Sequence, residues 1–365
     1  MESRDLIRSR VQDEALKTVL PLHRCGVDVS MGVGKTLIGL RHMAEHYTDY
    51  CKFLVVASKK TILSEWVNEA KKHGLDHLIP HITLSTYLSL SKQDKDYDVV
   101  YLDECHNLLF THAEWLREYK GKILGLTGTP PKDDRSEKGK MVNAFCPICY
   151  KYETDDAVDD KILNDYRIIV HTLPLDTAKT MLVESKDKSW YASEKNTYDY
   201  WSRRLDETTT KKAQQIMSVM RMKAMMEFPS KETLALKLFR QMSDKCILFA
   251  NTQEQADRLC QYSYHSGNSN SEENLQKFKS GEIDKLSAVL QLNEGVNIPN
   301  LKYGIILHAY GNERKASQRI GRLLRLNPDD VATVHILCYR DTVDQKWVKQ
   351  SLENFDQSKI IWQNN

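Results

Sequence analysis

The stretch Cys25-Gly26-Val27-Asp28-Val29-Ser30-Met31-Gly32-Val33-Gly34-Lys35-Thr36 decides the fold. A β-branched run enters a glycine-rich turn, and a helical pattern, Leu37–Tyr47, follows at once. Glycines such as Gly32 and Gly34 let backbone N–H groups turn inward around phosphate oxygens. Lys35 supplies a point charge for β- and γ-phosphates, and the Thr36 hydroxyl can ligate Mg²⁺. The positive end of the following helix points at the same anion. The full phosphate-loop pattern has Gly where this chain has Val29. An ordinary turn is the competing reading, and the strand before and the helix after argue against it.

Outward from this loop, short apolar runs alternate with helical patterns. The first set is Cys25–Ser30, Phe53–Ala57, His81–Ser85, Val99–Leu102 and Ile123–Leu126. The second is Arg167–Leu173, Cys246–Ala250, Leu286–Leu290, Tyr303–His308 and Thr333–Cys338. Continuous apolar strands between helices predict parallel sheets covered on both faces. The chain therefore reads as α/β in two halves, with a join in the acidic stretch Glu153–Asp160. From Asp176 to Met242 strand-like runs give way to polar helical patterns, which predicts a helical insertion early in the second half. The expected bounds are 1–157 and 158–350, with the insertion at about 176–242 and a polar tail at 351–365 whose end frays.

Composition agrees. A chain of 365 residues is long enough for about two domains. Hydrophobic residues are 41% and charged residues 28%, which excludes a disordered chain. No apolar run approaches the roughly 20 residues of a membrane helix. Met1-Glu2-Ser3-Arg4-Asp5 lacks the apolar core of a secretory signal. Eight scattered cysteines, most in apolar runs, read as small hydrophobes in a reducing cytoplasm (the host's, for a viral protein). The net charge of +2 leaves any basic surface local. Cys146-Pro147-Ile148-Cys149 has the spacing of half a zinc site but lacks a second close pair, which argues against zinc.

Asp103, sixty-eight residues beyond Lys35, lies in the stretch Asp98-Val99-Val100-Tyr101-Leu102-Asp103-Glu104-Cys105-His106, a buried-strand pattern that ends in two carboxylates. Phosphoryl transfer to water needs a metal holder and a group that positions or deprotonates the water. Asp103 suits the first role and Glu104 the second. His106 reads either as a plain helix start or as a contact that relays nucleotide state.

These two motifs, in this order, resemble the superfamily 2 helicases and nucleic-acid translocases. The resemblance extends over residues 25–340. Leu126-Thr127-Gly128-Thr129-Pro130 looks like that family's third motif, with Thr127 and Thr129 in coupling positions. Gln291–Pro299 looks like the fifth, with Gly295 on the nucleotide and Asn297 where an Asp is usual. Gln318-Arg319-Ile320-Gly321-Arg322-Leu323-Leu324-Arg325 looks like the sixth. Arg322 and Arg325 match its arginine fingers, and Gln318 matches its γ-phosphate sensor. The Asp-Glu-Cys-His box and Thr-Gly-Thr-Pro are similar to the DEAH-like and Swi/Snf-like DNA motors. The compact size looks like a phage or viral member.

The resemblance implies two RecA-like domains, ATP and Mg²⁺ as ligands, and DNA, single-stranded or forked, as partner, with RNA also compatible. Gln12 matches the adenine-reading glutamine. Ser58, Lys59 and Lys60 match one backbone-gripping motif, with Trp66 on the same helix; Thr86 matches another. Asn251 and Thr252 fall where the second domain meets the strand. Trp190, Tyr191, Tyr198, Tyr200, Trp201, Arg203, Arg204, Lys211 and Lys212 suit base stacking beside cations, and equally suit a helical core with a solvated face. The expected activity is ATP-driven movement along DNA with strand separation or branch migration. The alternatives are a duplex translocase and an ATP-gated clamp.

Overall fold

The computed structural model describes residues 4–30, 32–58, 60–131, 133–163, 165–185, 188–289, 298, 300–308, 331–353 and 355–365. The described chain divides into two units, one reaching Asp165 and the other starting at Tyr166.

The first unit carries the helices α1 (Arg4–Val19), α2 (Lys35–Glu45), α3 (Lys60–Lys72), α4 (Ala113–Glu118), α5 (Glu137–Phe145) and α6 (Thr154–Asp159). Its strands are β1 (Arg24–Val29), β2 (Phe53–Ala57), β3 (Ile82–Thr86), β4 (Val99–Asp103), β5 (Lys122–Thr127) and β6 (Ile148–Tyr152). They form one sheet in the order β3-β2-β4-β5-β1-β6, with every pair parallel. β2 and β4 are buried along their whole length. That is why they read as unbroken apolar runs and not as alternating ones. Helix α3 turns Ile62, Leu63, Trp66 and Ala70 inward, at helical spacing.

The second unit is built on β7 (Tyr166–Leu173), β10 (Cys246–Ala250), β11 (Ser263–Tyr264), β12 (Lys285–Val289), β13 (Tyr303–Ile306), β14 (Ala332–Tyr339) and β15 (Ile360–Asn364). Its order is β11-β12-β10-β13-β14-β7-β15, again parallel throughout. A separate antiparallel pair, β8 (Met181–Ser185) and β9 (Lys188–Ala192), precedes α7 (Glu194–Asp206), α8 (Lys211–Met226) and α9 (Pro229–Gln241). Among the described residues α10 (Gln253–Leu259), α11 (Ser271–Ser280) and α12 (Val343–Ser351) are further helices of the unit. Phe228, Ala235 and Phe239 pack with Leu248, Ile305 and Leu337 in its core. Each unit is thus a parallel sheet with helices on both faces, the RecA-like arrangement in tandem.

Three expectations change. A join at 157/158 would cut α6, where Ala157 and Val158 are buried; the units part after Asp165. The insertion at 176–242 opens with a two-stranded sheet before it turns helical. The tail at 351–365 does not fray: Ile360–Asn364 is the edge strand beside β7. Residues 146–149 lead into β6, also an edge strand. Cys146 is buried there, and a Cβ on Gly125 would lie 2.8 Å from its sulfur. Among the described residues no helix is long and apolar enough to cross a membrane.

Candidate nucleotide-binding site

Helix α2 has no side-chain cap. Its first turn follows Gly34, at φ 103°, and Gly32, at φ 95°. These left-handed conformations suit only glycine without strain. They leave backbone N–H groups at the helix start open to an anion. Gln12, 4% exposed on α1, donates from Nε2 to the Val33 carbonyl at 2.7 Å. A Cβ on Gly34 would sit 2.6 Å from that nitrogen. Gln12 therefore buttresses the loop from beneath, at the cleft expected to hold the nucleotide.

β4 delivers the carboxylates. Asp103 Oδ1 accepts the Glu104 backbone N–H at 2.9 Å, and Oδ2 accepts the Trp66 indole N–H at 2.8 Å. The Asp103 carbonyl accepts the Tyr87 hydroxyl at 3.0 Å. Glu104 lies at φ 49° and ψ 55°, left-handed for a non-glycine residue, which costs about 1–3 kcal/mol. The turn swings its carboxylate to Lys35, with Nζ 3.5 Å from Oε1. Its other oxygen, Oε2, lies 3.3 Å from His106 Nδ1. That same nitrogen is 2.9 Å from Thr127 Oγ1 and 3.5 Å from Thr129 Oγ1, and the Thr129 backbone N–H donates to Thr127 Oγ1 at 3.1 Å. Nδ1 and Thr127 Oγ1 share a hydrogen bond whose direction depends on the His106 tautomer, while the approach of Nδ1 to Glu104 Oε2 is an ion pair only when the ring is protonated. Lys35, Glu104, His106 and Thr127 thus form one continuous chain from the loop to β5. Asp103, Glu104 and His106 are buried, and Thr127 is wholly so.

A cleft of about 670 Å³ opens between these elements, lined by Gln12, Gly34, Lys35, Thr36, Asp103 and Glu104. This is within the usual range for a small-molecule site. Arg4 and Arg8 of α1 also reach it. Arg4 donates from Nε to the Ile162 carbonyl at 2.8 Å. The Thr36 hydroxyl and the Asp103 carboxylate are hard oxygen donors in one cleft. Mg²⁺ characteristically takes one or two protein oxygens and fills its shell with water and phosphate. The donor set fits it.

Asp28 is a carboxylate that sequence reading did not single out. It is 7% exposed on β1 and in register with Thr127 and Lys151. Burial pushes it up to about 6; Lys151 and Lys35 pull it down, and Glu153 and Glu104 add to the rise. Tyr87 and the Trp66–Asp103 contact were likewise missed, although Trp66 stood on the right helix.

On the expected nucleic-acid track, β2 and β3 pair with Ala57 opposite Thr86, so Ser58 and Thr86 lie at neighbouring strand ends. Thr86 donates to Ser89 at 3.4 Å. Lys60 opens α3. In the second unit, Thr252 caps α10 by accepting the Gln255 N–H at 3.1 Å. The Asn251 side chain is buried with no hydrogen-bond partner for either amide atom among the described residues. Of the insertion residues, Trp190, Tyr191, Tyr200, Arg203, Arg204, Lys211 and Lys212 are exposed. Tyr198 instead packs inward and accepts the Val343 N–H at 3.0 Å. Lys59, Gly295, Asn297, Gln318, Arg322 and Arg325 lie outside the described residues.

Two family models match the chain: "Type III restriction enzyme, res subunit" over residues 7–132 and "Helicase conserved C-terminal domain" over residues 227–327. The DNA 3'-5' translocase XPB2 of Sulfurisphaera tokodaii is 23% identical across 94% of this chain and 84% of its own length. Among solved structures, the Hef helicase domain of Pyrococcus furiosus superposes with a TM-score of 0.53 and 18% identity, covering 96% of this chain and 99% of that one. The ATP-dependent Type ISP restriction-modification enzyme LlaBIII, bound to DNA, gives 0.62 at 12% identity over the whole of this chain, which spans 31% of that enzyme. At these identities the two structures establish the shared fold.

Proposed function

Because this chain is a member of the superfamily 2 helicases and translocases, we propose that it hydrolyses ATP to move along DNA and to separate or migrate strands. The observation that carries this reading is the chain from Lys35 through Glu104 and His106 to Thr127, in one cleft with Asp103. The loop N–H groups and Lys35 bind the phosphates. Glu104 takes the proton of the attacking water. Thr36 and Asp103 would hold Mg²⁺, which would supply neutralisation of phosphate charge. His106 receives the change at Glu104 and passes it to Thr127 and Thr129. Gln12 keeps the loop in shape beneath the adenine side of the cleft.

In this reading Arg322 and Arg325 stabilise charge on the transferring phosphoryl group, Gln318 senses it and Gly295 lies against the nucleotide. Ser58, Lys59, Lys60, Thr86, Asn251 and Thr252 grip the phosphate backbone without reading sequence. The orphan amide of buried Asn251 supports such a contact, since a buried polar group without a partner is costly. The exposed Trp190, Tyr191 and Tyr200 beside Arg203 and Arg204 support base stacking as well.

A second reading, a duplex translocase that does not unwind, is favoured by the translocase named among the relatives. One experiment separates the two. ATP turnover is measured with single-stranded DNA, duplex DNA and RNA, beside unwinding of a forked duplex. Stimulation by single strands with fork unwinding supports the helicase. Stimulation by duplex without unwinding supports the translocase. No turnover with any nucleic acid would leave only a clamp. Arg322→Ala then tests the arginine: turnover should fall about a thousandfold with ATP binding retained. Lys59→Ala should weaken DNA binding in a salt-dependent way and spare basal turnover.

A further inference from the structure

Trp66 is wholly buried, yet its one polar atom is spent on a functional carboxylate. The indole N–H of a buried Trp needs a partner, and any carbonyl would satisfy it. Here it donates at 2.8 Å to Asp103 Oδ2, while the other oxygen of that carboxylate takes the Glu104 backbone N–H. Two donors from different directions fix the plane of the carboxylate. Orientation of this kind, imposed on a metal ligand by its outer partners, typically changes metal affinity by 10–100-fold.

The same ring touches three elements. It belongs to α3, whose first residue is Lys60. It lies against α2, where a Cβ on Gly39 would come within 2.5 Å of the indole Cη2. It tilts against Tyr101 on β4, with ring centroids 5.9 Å apart. Glycine at position 39 is what lets the phosphate-loop helix close onto the indole. A movement of α3 therefore displaces the N–H that holds Asp103, with no flexible side chain between them.

We infer that Trp66 is a positioning residue: it holds the Asp103 carboxylate for Mg²⁺ and carries to it the occupancy of the chain just after β2, at Ser58. This rests on the ATP-driven motor reading above and supplies its link from track to metal.

The test uses the full chain with Trp66→Phe, and a second form with 3-benzothienylalanine at position 66, which keeps the bicyclic shape and lacks the N–H. The probe is fluorescent N-methylanthraniloyl-ADP, titrated with Mg²⁺ and in EDTA. Affinity in EDTA should match the wild type, and the gain in affinity on adding Mg²⁺ should shrink about tenfold in both variants. Stimulation of ATP turnover by single-stranded DNA should fall with it, while DNA affinity stays unchanged. An unaltered Mg²⁺ gain and unaltered stimulation in the benzothienyl form would reduce Trp66 to packing and overturn the inference, with the motor reading standing. A wild type that binds nucleotide without any Mg²⁺ dependence and never turns over would overturn both.

Discussion

Lys35 and Glu104 face one another across the mouth of the phosphate loop, 3.5 Å apart and both largely buried. In the proposed reading Lys35 binds phosphate, so an incoming anion competes with Glu104 for it. Glu104 is then released toward water with His106 still beside Oε2. Glu104→Gln keeps the shape and removes both the charge that holds Lys35 and the base. Nucleotide binding should persist or tighten, since Lys35 no longer has a rival anion. Turnover should fall by about two decades or more. Measured together, binding by fluorescence and turnover by phosphate release separate the roles. A turnover rate near the wild type would move the base elsewhere.

How much of this was legible without coordinates follows from burial and separation. Strands such as β2 and β4 announce themselves because both faces are covered. β6 (Ile148–Tyr152) mixes half-buried and exposed positions, and β15 ends in Trp362-Gln363-Asn364. Edge strands lack the continuous apolar run, so they are hard to read as strands, and β15 passes for a tail. Lys35, Asp103 and Glu104, which the structure brings to one cleft, could be singled out because their motifs are local. The bond from Gln12 to Val33 spans 21 residues and that from Trp66 to Asp103 spans 37, so nothing in a window of sequence reveals either. Asp28 was invisible for another reason: an acidic residue inside an apolar run looks like an exception until the sheet buries it.

That burial has a pH consequence. Asp28 is pushed up to about 6 from an ordinary 3.8, chiefly by burial. The folded state therefore holds the Asp28 proton more tightly than the unfolded chain. Its ionisation opposes folding fully above about pH 6, and the opposition fades as pH falls toward 4. The gap corresponds to about 3 kcal/mol at most. Asp28→Asn removes the charge at nearly constant volume. It should raise stability at pH 8 by about 1–3 kcal/mol, and the advantage should shrink to nothing near pH 4. Urea titrations of both proteins at pH 4, 6 and 8 give the answer. An advantage that is the same at all three would mean Asp28 is not the titrating group.

The C-terminal strand supports a prediction about the second unit. Ile360–Asn364 pairs along β7, and the Asn365 N–H donates to the Thr172 carbonyl at 2.9 Å. Its side chains are mostly exposed, so its contribution is mainly ladder hydrogen bonds, about 1 kcal/mol each before the entropy of ordering the strand. A chain ending at Lys359 should lose about 2 kcal/mol and melt roughly 4–8 °C lower. It should also aggregate more readily, because β7 becomes an open edge. Calorimetry and light scattering would register both, and an unchanged melting profile would mean the strand contributes nothing to folding.

Thr127 lies at the far end of the relay, wholly buried, with its hydroxyl 2.9 Å from His106 Nδ1 and the Thr129 N–H pointing at it. Among the described residues its hydroxyl bonds to His106 and the Thr129 N–H and not to Lys35 or Glu104, so in the proposed motor its role is to pass the state of Glu104 to β5 and the turn beyond. Thr127→Val is close in shape and deletes only the hydroxyl. His106 Nδ1 loses its 2.9 Å hydrogen bond to β5. The fold should survive at a cost of about 1–3 kcal/mol for the unsatisfied groups. Basal ATP turnover should stay within about threefold of the wild type, because Lys35, Glu104 and Asp103 keep their places. DNA stimulation and strand separation or translocation should drop at least tenfold, so that ATP is consumed without movement. Turnover per base pair moved is the quantity to measure. If chemistry and movement fell in step, Thr127 would belong to the hydrolytic centre, and the path from nucleotide to DNA would have to run through another element.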